Sequence, residues 1–332
     1  MTFLLKSLQV RSMNLKSRLI MPPMATSKAE ADGKVNRAIL DYYDEKTKGG
    51  YLSLVIIEHS FISLQGKASQ FQLSVAEDDV VSNLKKLSEI IHQNGTNCVM
   101  QINHAGSAAA KEVTGTIGFG PSAILHPRSG SDFPHELNRA EIEEIVVEFQ
   151  NAARRVKEAG FDGVEIHSAH GYLLNQFFSP LCNRRTDKYG GTVLNRIRIH
   201  LAVIAAVRQA VGDDFPILLR LGAADYKSGG ATIEDSLIAV REFEKAGVDI
   251  LDISGGLCGY QIPGGTTEQG FFAPLSEAIK QIVSIPVILT GGIIEAEAAE
   301  QLLASGKADL IGVGRAILRD SEWAKHAIES LS

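Results

Sequence analysis

Ala159-Gly-Phe-Asp-Gly-Val-Glu-Ile-His167-Ser-Ala-His170-Gly-Tyr172 is the stretch whose reading decides the fold. It joins three pieces: a helix end closed by glycine, a short apolar run, and a cluster of two imidazoles and a phenol. Glycine at the position after a helix relieves the steric cost of a left-handed turn. The run Phe161–Ile166 reads as a buried strand, and a strand ending in polar groups delivers several side chains to one point. The junction recurs as Ala246-Gly247-Val-Asp249 and Ser305-Gly306-Lys-Ala-Asp309, which marks a repeated strand–helix unit.

Working outward, short β-branched runs alternate with amphipathic segments, the pattern of parallel strands joined by crossover helices. Eight strands are predicted: Arg18–Met21, Leu52–Glu58, Asn97–Ile102, Gly163–His167, Pro216–Leu221, Ile250–Ser254, Pro286–Thr290 and Leu310–Gly314. The helices between them fall near Asn36–Thr47, Val80–Gln93, Arg139–Ala159, Leu194–Val211, Ile233–Ala246, Ser276–Val283, Glu295–Ala304 and Ser321–Glu329. A doubly wound sheet would use the same glycines, but eight consecutive units favour a closed α/β barrel of the (β/α)8 TIM type. Although 332 residues could make two ordinary domains, the units run on as one domain over 1–332. The longest connections, near 103–138 and 168–193, should rise over the carboxyl ends of the strands as lids or walls.

Composition narrows the function. With 45% hydrophobic and 22% charged residues the chain is an ordinary globular protein. A net charge of −6 argues against nucleic acid or an anionic membrane as partner, while a local phosphate pocket stays allowed. Cys98, Cys182 and Cys258 are scattered and unpaired in pattern, which fits reduced thiols in a cytoplasmic protein. No run approaches a membrane span, and Met1–Lys6 turns polar too early for a signal segment.

Catalytic groups of such barrels sit at the carboxyl ends of the strands, where His167, His170 and Tyr172 fall. Imidazoles can hold a carbonyl or nitro oxygen and a phenol can hand over a proton. The pair could also be satisfied scaffold residues; as metal ligands they lack a Cys or carboxylate at suitable spacing, so no metal is expected. No lysine ends a strand, which weakens a Schiff-base aldolase, since Lys28 and Lys227 lie out in loops. Glu58-His59 is too isolated to replace the His-x-His pair of a metallohydrolase, and His59 is left without a role. The last two strands end in Thr290-Gly-Gly292 and Gly312-Val-Gly314-Arg315, where glycine lets backbone N–H groups approach an anion and Arg315 can pair with it. Gln101 and Arg220, at the ends of the third and fifth strands, either pack in the core or offer hydrogen bonds to a polar heterocycle.

The segments Leu19-Ile-Met-Pro-Pro-Met-Ala25, Gln101-Ile-Asn-His104-Ala-Gly106, His167–Pro180, Asn183–Gly191 and Asn195-Arg196 together resemble the Old Yellow Enzyme family, over almost the whole chain. That resemblance implies an FMN-dependent ene-reductase on a (β/α)8 barrel, taking hydride from NADH or NADPH and passing it from flavin N5 to an activated alkene such as an enone, enal, maleimide or nitroalkene. It implies that His167 and His170 bind the activating oxygen and that Tyr172 delivers the proton. Pro23, Met24 and Ala25 would line the flavin, Gln101 and Arg220 would bind its pyrimidine edge, and Gly291, Gly292, Gly314 and Arg315 would take its phosphate.

Three departures from the family pattern stand out. Ala25 replaces the usual threonine or cysteine beside the flavin, and Thr26-Ser-Lys28 lacks the aromatic that one branch uses to wall the substrate. The chain stops at Ser332 without the cysteine cluster or dinucleotide domain of larger relatives, so electrons are expected directly from a nicotinamide or from a separate protein. An NADH or NADPH oxidase, a flavin, quinone or nitro reductase, and a non-catalytic flavin-binding module are the competing readings. The sequence leaves the alkene, the choice of nicotinamide and a homo-oligomer open.

Overall fold

A computed structural model describes residues 2–128 and 132–331. Eight parallel strands close into a barrel: β1 Leu19–Met21, β2 Leu54–Phe61, β3 Asn97–Asn103, β4 Gly163–Ser168, β5 Ile217–Gly222, β6 Ile250–Ser254, β7 Val287–Leu289 and β8 Leu310–Gly312. Each pairs with its sequence neighbours, and β8 closes on β1 through Ile311↔Leu19 and Gly312↔Ile20. The helices outside are α1 Arg37–Thr47, α2 Val81–Gln93, α3 Arg139–Glu158, α4 Arg198–Val211, α5 Ile233–Lys245, α6 Ala273–Lys280, α7 Ala296–Ala304 and α8 Trp323–Leu331. All eight predicted strands and helices are present. The expected sixth helix starts three residues early, because Pro274 in its first turn has no N–H to lose there. The expected fourth breaks into Val193–Arg196 and α4 at Ile197. An amino-terminal hairpin, a parallel two-residue strand pair at Phe119–Gly120 and His135–Glu136, and short helices in the connections lie outside the expected elements, being too brief to show a period. Residues 129–131 of the long loop near 103–138 lie outside the described residues. Among the described residues no helix is long and apolar enough to cross a membrane.

Alternation along the strands sets the layers. Outward residues such as Val55, Met100, Val164, Ile166, Leu219 and Ile253 join the helices in one large buried cluster. Inward residues Ile20, Leu54, Ile56, Val99, Leu218, Ile250, Ile288 and Leu310 form a second cluster inside the barrel. An antiparallel hairpin, Leu8–Val10 with Met13–Leu15, stoppers that core from the amino ends of the strands, contributing Val10, Met13 and Leu15. At roughly 1.5–3 kcal/mol per fully buried aliphatic side chain, this plug makes the floor a stability element rather than a site.

The glycine junctions behave as their sequence implies: Gly160, Gly247 and Gly306 have φ of 80°, 101° and 74°. The aspartate that follows each has a further task. Asp162 accepts from the Cys98 N–H at 2.7 Å, Asp249 from the Ile217 N–H at 2.8 Å and Asp309 from the Val287 N–H at 3.0 Å. Each also meets a cation from the end of the helix before that strand, respectively His92, Arg208 and Lys280. These clamps join the strands in pairs at the floor. The His92, Cys98 and Asp162 donor atoms, all within 4.8 Å of one another, are one of these clamps.

Candidate active site

Period two continues into the mouth. On β4, Val164, Ile166 and Ser168 face the helices, and Ser168 Oγ meets His200 Nε2 at 2.8 Å. Glu165 and His167 therefore point inward, and both are buried. After the strand the chain turns sharply, with His170 at φ 60° and Gly171 at φ 79°. A left-handed histidine costs about 1–3 kcal/mol and persists only where its surroundings over-determine it. They do so here. The His170 N–H donates to Gly255 O at 3.2 Å, Arg128 Nη1 donates to His170 O at 2.8 Å, and the Gly171 N–H donates to Asn175 Oδ1 at 2.7 Å. Gln176 Nε2 donates to Gly171 O at 2.7 Å.

That turn brings the three predicted residues together. The His167 ring centroid lies 5.1 Å from those of His170 and Tyr172. His170 Nε2 meets Ser254 Oγ of β6 at 2.7 Å, while His167 Nδ1 has no partner. Burial pushes both histidines well below their ordinary pKa, reinforced by Arg220 and by the neighbouring imidazoles. Both are neutral at pH 7, so each ring carries one N–H. Burial pushes the Tyr172 phenol upward, so it holds its proton. His59, on β2, stacks on Tyr172 with centroids 5.4 Å apart and meets its hydroxyl at 3.3 Å through Nε2.

Beneath the histidines lies a sealed polar layer. Gln101 Nε2 donates to Glu165 Oε1 at 2.7 Å, and Arg220 Nε sits 3.3 Å from Asp252 Oδ2. All four residues are at most 5% exposed, so bulk water does not reach most of their atoms. Glu165 Oε2, Arg220 Nε and both Asp252 oxygens have no hydrogen bond. Burial, then Asp252, drives the Glu165 carboxyl well above the usual range; burial raises Asp252 to about 6 against the pull of Arg220. Arg220 thus keeps a donor unspent, and Gln101 spends one Nε2 hydrogen on Glu165.

The residues expected to take an anion lie at the ends of β7 and β8. Gly291 and Gly292 have φ of 128° and 71°, and a Cβ on Gly292 would lie 3.5 Å from Arg315 Nη2. Met24 packs so closely on Gly314 that a Cβ there would come within 2.6 Å of its sulfur. Among the described residues the Arg315 guanidinium has no acceptor. Pro23 is half-buried and Ala25 exposed, on a segment tied down by the Thr26 N–H donating to Glu58 Oε2 at 2.6 Å. A free guanidinium in a glycine cradle and an amide and guanidinium with unspent bonds fit a ligand with a phosphate and a polar ring edge, as in FMN.

Sequence reasoning missed His59, Glu165, Ser254, Asp252 and Asp225. Inward alternation along β4 and β6 would have found Glu165, Asp252 and Ser254. Asp225 could not be read, because its work is between loops: it accepts from Ser179 Oγ at 2.6 Å, the Ala231 N–H at 2.7 Å and the Leu257 N–H at 2.8 Å. The loops after β4, β5 and β6 are locked together through it.

Residues 4–332 match the NADH:flavin oxidoreductase / NADH oxidase family. The chain is 40% identical over 328 residues to the NADH oxidase of Thermoanaerobacter brockii, covering 97% of this chain and 50% of that protein. It is 36% identical over 332 residues to the NADPH dehydrogenase of Geobacillus sp. (strain WCH70), covering 99% and 95%. The chain thus spans about half the length of some curated relatives and nearly all of others. Among solved structures it is similar to a 2-naphthoyl-CoA reductase bound to 2-naphthoyl-CoA, with TM-score 0.93 and 27% identity over 99% of this chain and 52% of that one. Morphinone reductase in complex with tetrahydroNAD superposes with TM-score 0.85 at 25% identity, covering 99% and 91%. With a closed barrel, a glycine–arginine cradle and an unspent polar layer beneath two histidines and a tyrosine, the chain belongs to the NADH:flavin oxidoreductase / NADH oxidase family, that of the Old Yellow Enzyme, whose cofactor is FMN.

Proposed function

We propose that this protein is an ene-reductase, which draws electrons from NADH or NADPH and reduces the C=C bond of an activated alkene such as an enone, enal, maleimide or nitroalkene. The observation that carries this reading is the convergence of His167, His170 and Tyr172, two neutral imidazoles and a protonated phenol, at the end of β4. FMN, when bound, supplies the hydride chemistry. Gln101 and Arg220 would hold its ring edge, Gly291, Gly292, Gly314 and Arg315 its phosphate, and Pro23, Met24 and Ala25 would line it. His167 and His170 hold the alkene's activating oxygen through N–H donors. As that oxygen becomes enolate-like, donors fixed in a buried pocket stabilise the transition state more than the ground state. Their neutrality matters, since an imidazolium would bind ground-state anions as well. Tyr172 gives its hydroxyl proton to the α-carbon. We read the chain as one cytoplasmic FMN-binding unit.

Anaerobic reduction with each nicotinamide, followed by reoxidation with enones, maleimides, nitroalkenes and quinones, tests this. Alkenes should reoxidise the wild type, and Tyr172→Phe should slow that step by about 10²–10⁴. Equal rates for wild type and Tyr172→Phe would refute the proton-donor role. The second reading, an NADH oxidase or a flavin, quinone or nitro reductase, is favoured by the relative named NADH oxidase. It would show as reoxidation by oxygen or quinone with every alkene inert.

A further inference from the structure

His59 owes its place to an irregularity in β2. The β2–β3 register runs regularly to Ile57↔Met100 and resumes at Ser60↔Ile102, so two residues of β2, Glu58 and His59, stand opposite the single Gln101. Bulges of this kind re-aim a side chain, and they concentrate beside active sites. Here Glu58 swings to the Thr26 N–H, with the Glu58 N–H given to the Tyr43 hydroxyl on α1, and His59 turns into the mouth. Gln72 Nε2 donates to His59 O at 3.0 Å, and Ser60 Oγ to Glu58 O at 2.9 Å, fixing the bulge. The imidazole then lies nearly parallel to the Tyr172 ring, at 21°, with Nε2 3.3 Å from the phenol oxygen.

We propose that His59 returns a proton to Tyr172 after each turnover, as a two-nitrogen relay between the phenol and solvent in the mouth. This rests on the ene-reductase reading, in which Tyr172 ends each cycle as a phenolate. When the Tyr172 O–H bond breaks and the substrate's α C–H bond forms, the electron pair stays on the phenol oxygen. The His59 Nε2–H bond then breaks in turn, its proton reforms the Tyr172 O–H, and Nδ1 takes a proton from a water molecule, whose hydroxide leaves to bulk solvent; before the next turnover solvent in the mouth removes the Nδ1 proton and returns one to Nε2, restoring the neutral Nε2–H ring. The net event moves one solvent proton to the phenolate.

The geometry meets what such a relay requires. His59 is only partly buried, whereas His167 beside it is 2% exposed, so of the two imidazoles His59 is the one with surface left at the mouth. The charged and titratable groups facing His59 are Tyr172, His167 at 6.4 Å between centroids, His170, and Arg220 from β5. Burial first, then Arg220, lowers its pKa to about 4. The ring is therefore neutral across the working range, and it acts by exchanging tautomers rather than as an imidazolium acid.

Two variants of the flavin-loaded enzyme separate a relay from a packing role. His59→Gln keeps a donor near the phenol but cannot pass a proton through, and His59→Phe keeps the stack with no donor. With pre-reduced enzyme, the first alkene turnover should stay within about threefold of wild type in both, since Tyr172 starts protonated. Steady-state turnover should fall by about 10²-fold, the low end for a lost acid–base group, and added imidazole should restore part of it. A near-ultraviolet titration, referenced to Tyr172→Phe, should show the Tyr172 pKa raised in His59→Phe, because a donor to the phenolate has gone. The relay stands only if both results appear. First and later turnovers slowed equally, no slowing, no imidazole rescue, or an unmoved Tyr172 pKa overturns it. A wild type that reduces no alkene fails the ene-reductase reading itself, and the relay with it.

Discussion

Replacing Arg220 by methionine removes the cation that faces both Glu165 and Asp252 inside the barrel. Both carboxyls are fully buried and hold orphaned oxygens, so breaking this pair should cost about 3–5 kcal/mol. At roughly 2.1 cal/mol/K of unfolding entropy per residue over the chain, that is about 4–7 °C in Tm. Asp252→Asn is predicted to be milder. It leaves the guanidinium beside Glu165, which can release its proton and serve as counter-ion, so the loss falls to about 1 kcal/mol, the size of a single polar contact. The pH dependence follows from the sign of the shifts. Without Arg220 the folded-state pKa of each carboxyl rises further above its unfolded value near ~4. Stability is then present at low pH and lost as pH rises through the folded values. The Arg220→Met deficit should therefore grow from pH 5 to pH 8. Calorimetric scans of flavin-free and flavin-saturated protein distinguish this burial effect from lost FMN contacts, because only the former persists without flavin. Equal losses for the two variants, or an Arg220→Met deficit independent of pH, would refute the shared-counter-ion account.

Three further outcomes are expected. The Asp162 carboxylate raises the His92 pKa, so the clamp's contribution is full below the unfolded value near ~6.5 and lost as pH rises through the raised one. The unfolding free-energy gap between wild type and His92→Gln, from denaturant titrations, should then shrink from pH 6 to pH 9, by under about 1 kcal/mol because the ring is partly exposed; a widening gap contradicts it. Gly291→Ala places a Cβ 3.1 Å from the backbone nitrogens of Phe271 and Phe272 at φ 128°, a strain of about 1–3 kcal/mol, and should weaken FMN binding about tenfold or more in a fluorescence titration. An unchanged Kd would remove Gly291 from the phosphate cradle. Ala25→Cys and Ala25→Thr should each raise the flavin reduction potential in a redox titration, since either restores a side-chain donor; equal potentials would mean that position 25 does not touch the ring.

What the sequence discloses here depends on range. Strand and helix positions are local, carried by period and by the glycine after each helix, and they were legible to within a few residues. His167, His170 and Tyr172 stand out as candidates because they lie within six residues, and Gly291, Gly292, Gly314 and Arg315 because two adjacent strand ends share a composition. His59 does not, since its direction depends on a one-residue bulge that no alternation pattern reveals. Arg220 was read as a ligand-binding or packing residue without its partner, because Asp252 lies on the next strand and meets it only through the register Asp252↔Arg220.

One regularity was in the sequence and becomes visible only against the barrel. The strands β4, β6 and β8 open as Asp162-Gly-Val-Glu165-Ile-His167, Asp249-Ile-Leu-Asp252-Ile-Ser254 and Asp309-Leu-Ile-Gly312-Val-Gly314. In each, the first position is the floor clamp, the position three later enters the barrel, and the position two beyond reaches the mouth. On β2 the equivalent floor residue is Ser53, whose Oγ accepts the Ser17 N–H at 2.6 Å, a clamp without charge. The middle position carries an acid on β4 and β6, where Gln101 and Arg220 need holding. On β8 it is Gly312, where a Cβ would come within 2.6 Å of Thr290 Cγ2. At the mouth the same strands present an imidazole, a hydroxyl that holds an imidazole, and a glycine beside the anion cradle. Because each strand crosses floor, layer and mouth in six residues, the floor aspartates can be paired for stability without drawing on the groups at the mouth. Chemistry can therefore change at the third position without disturbing the first.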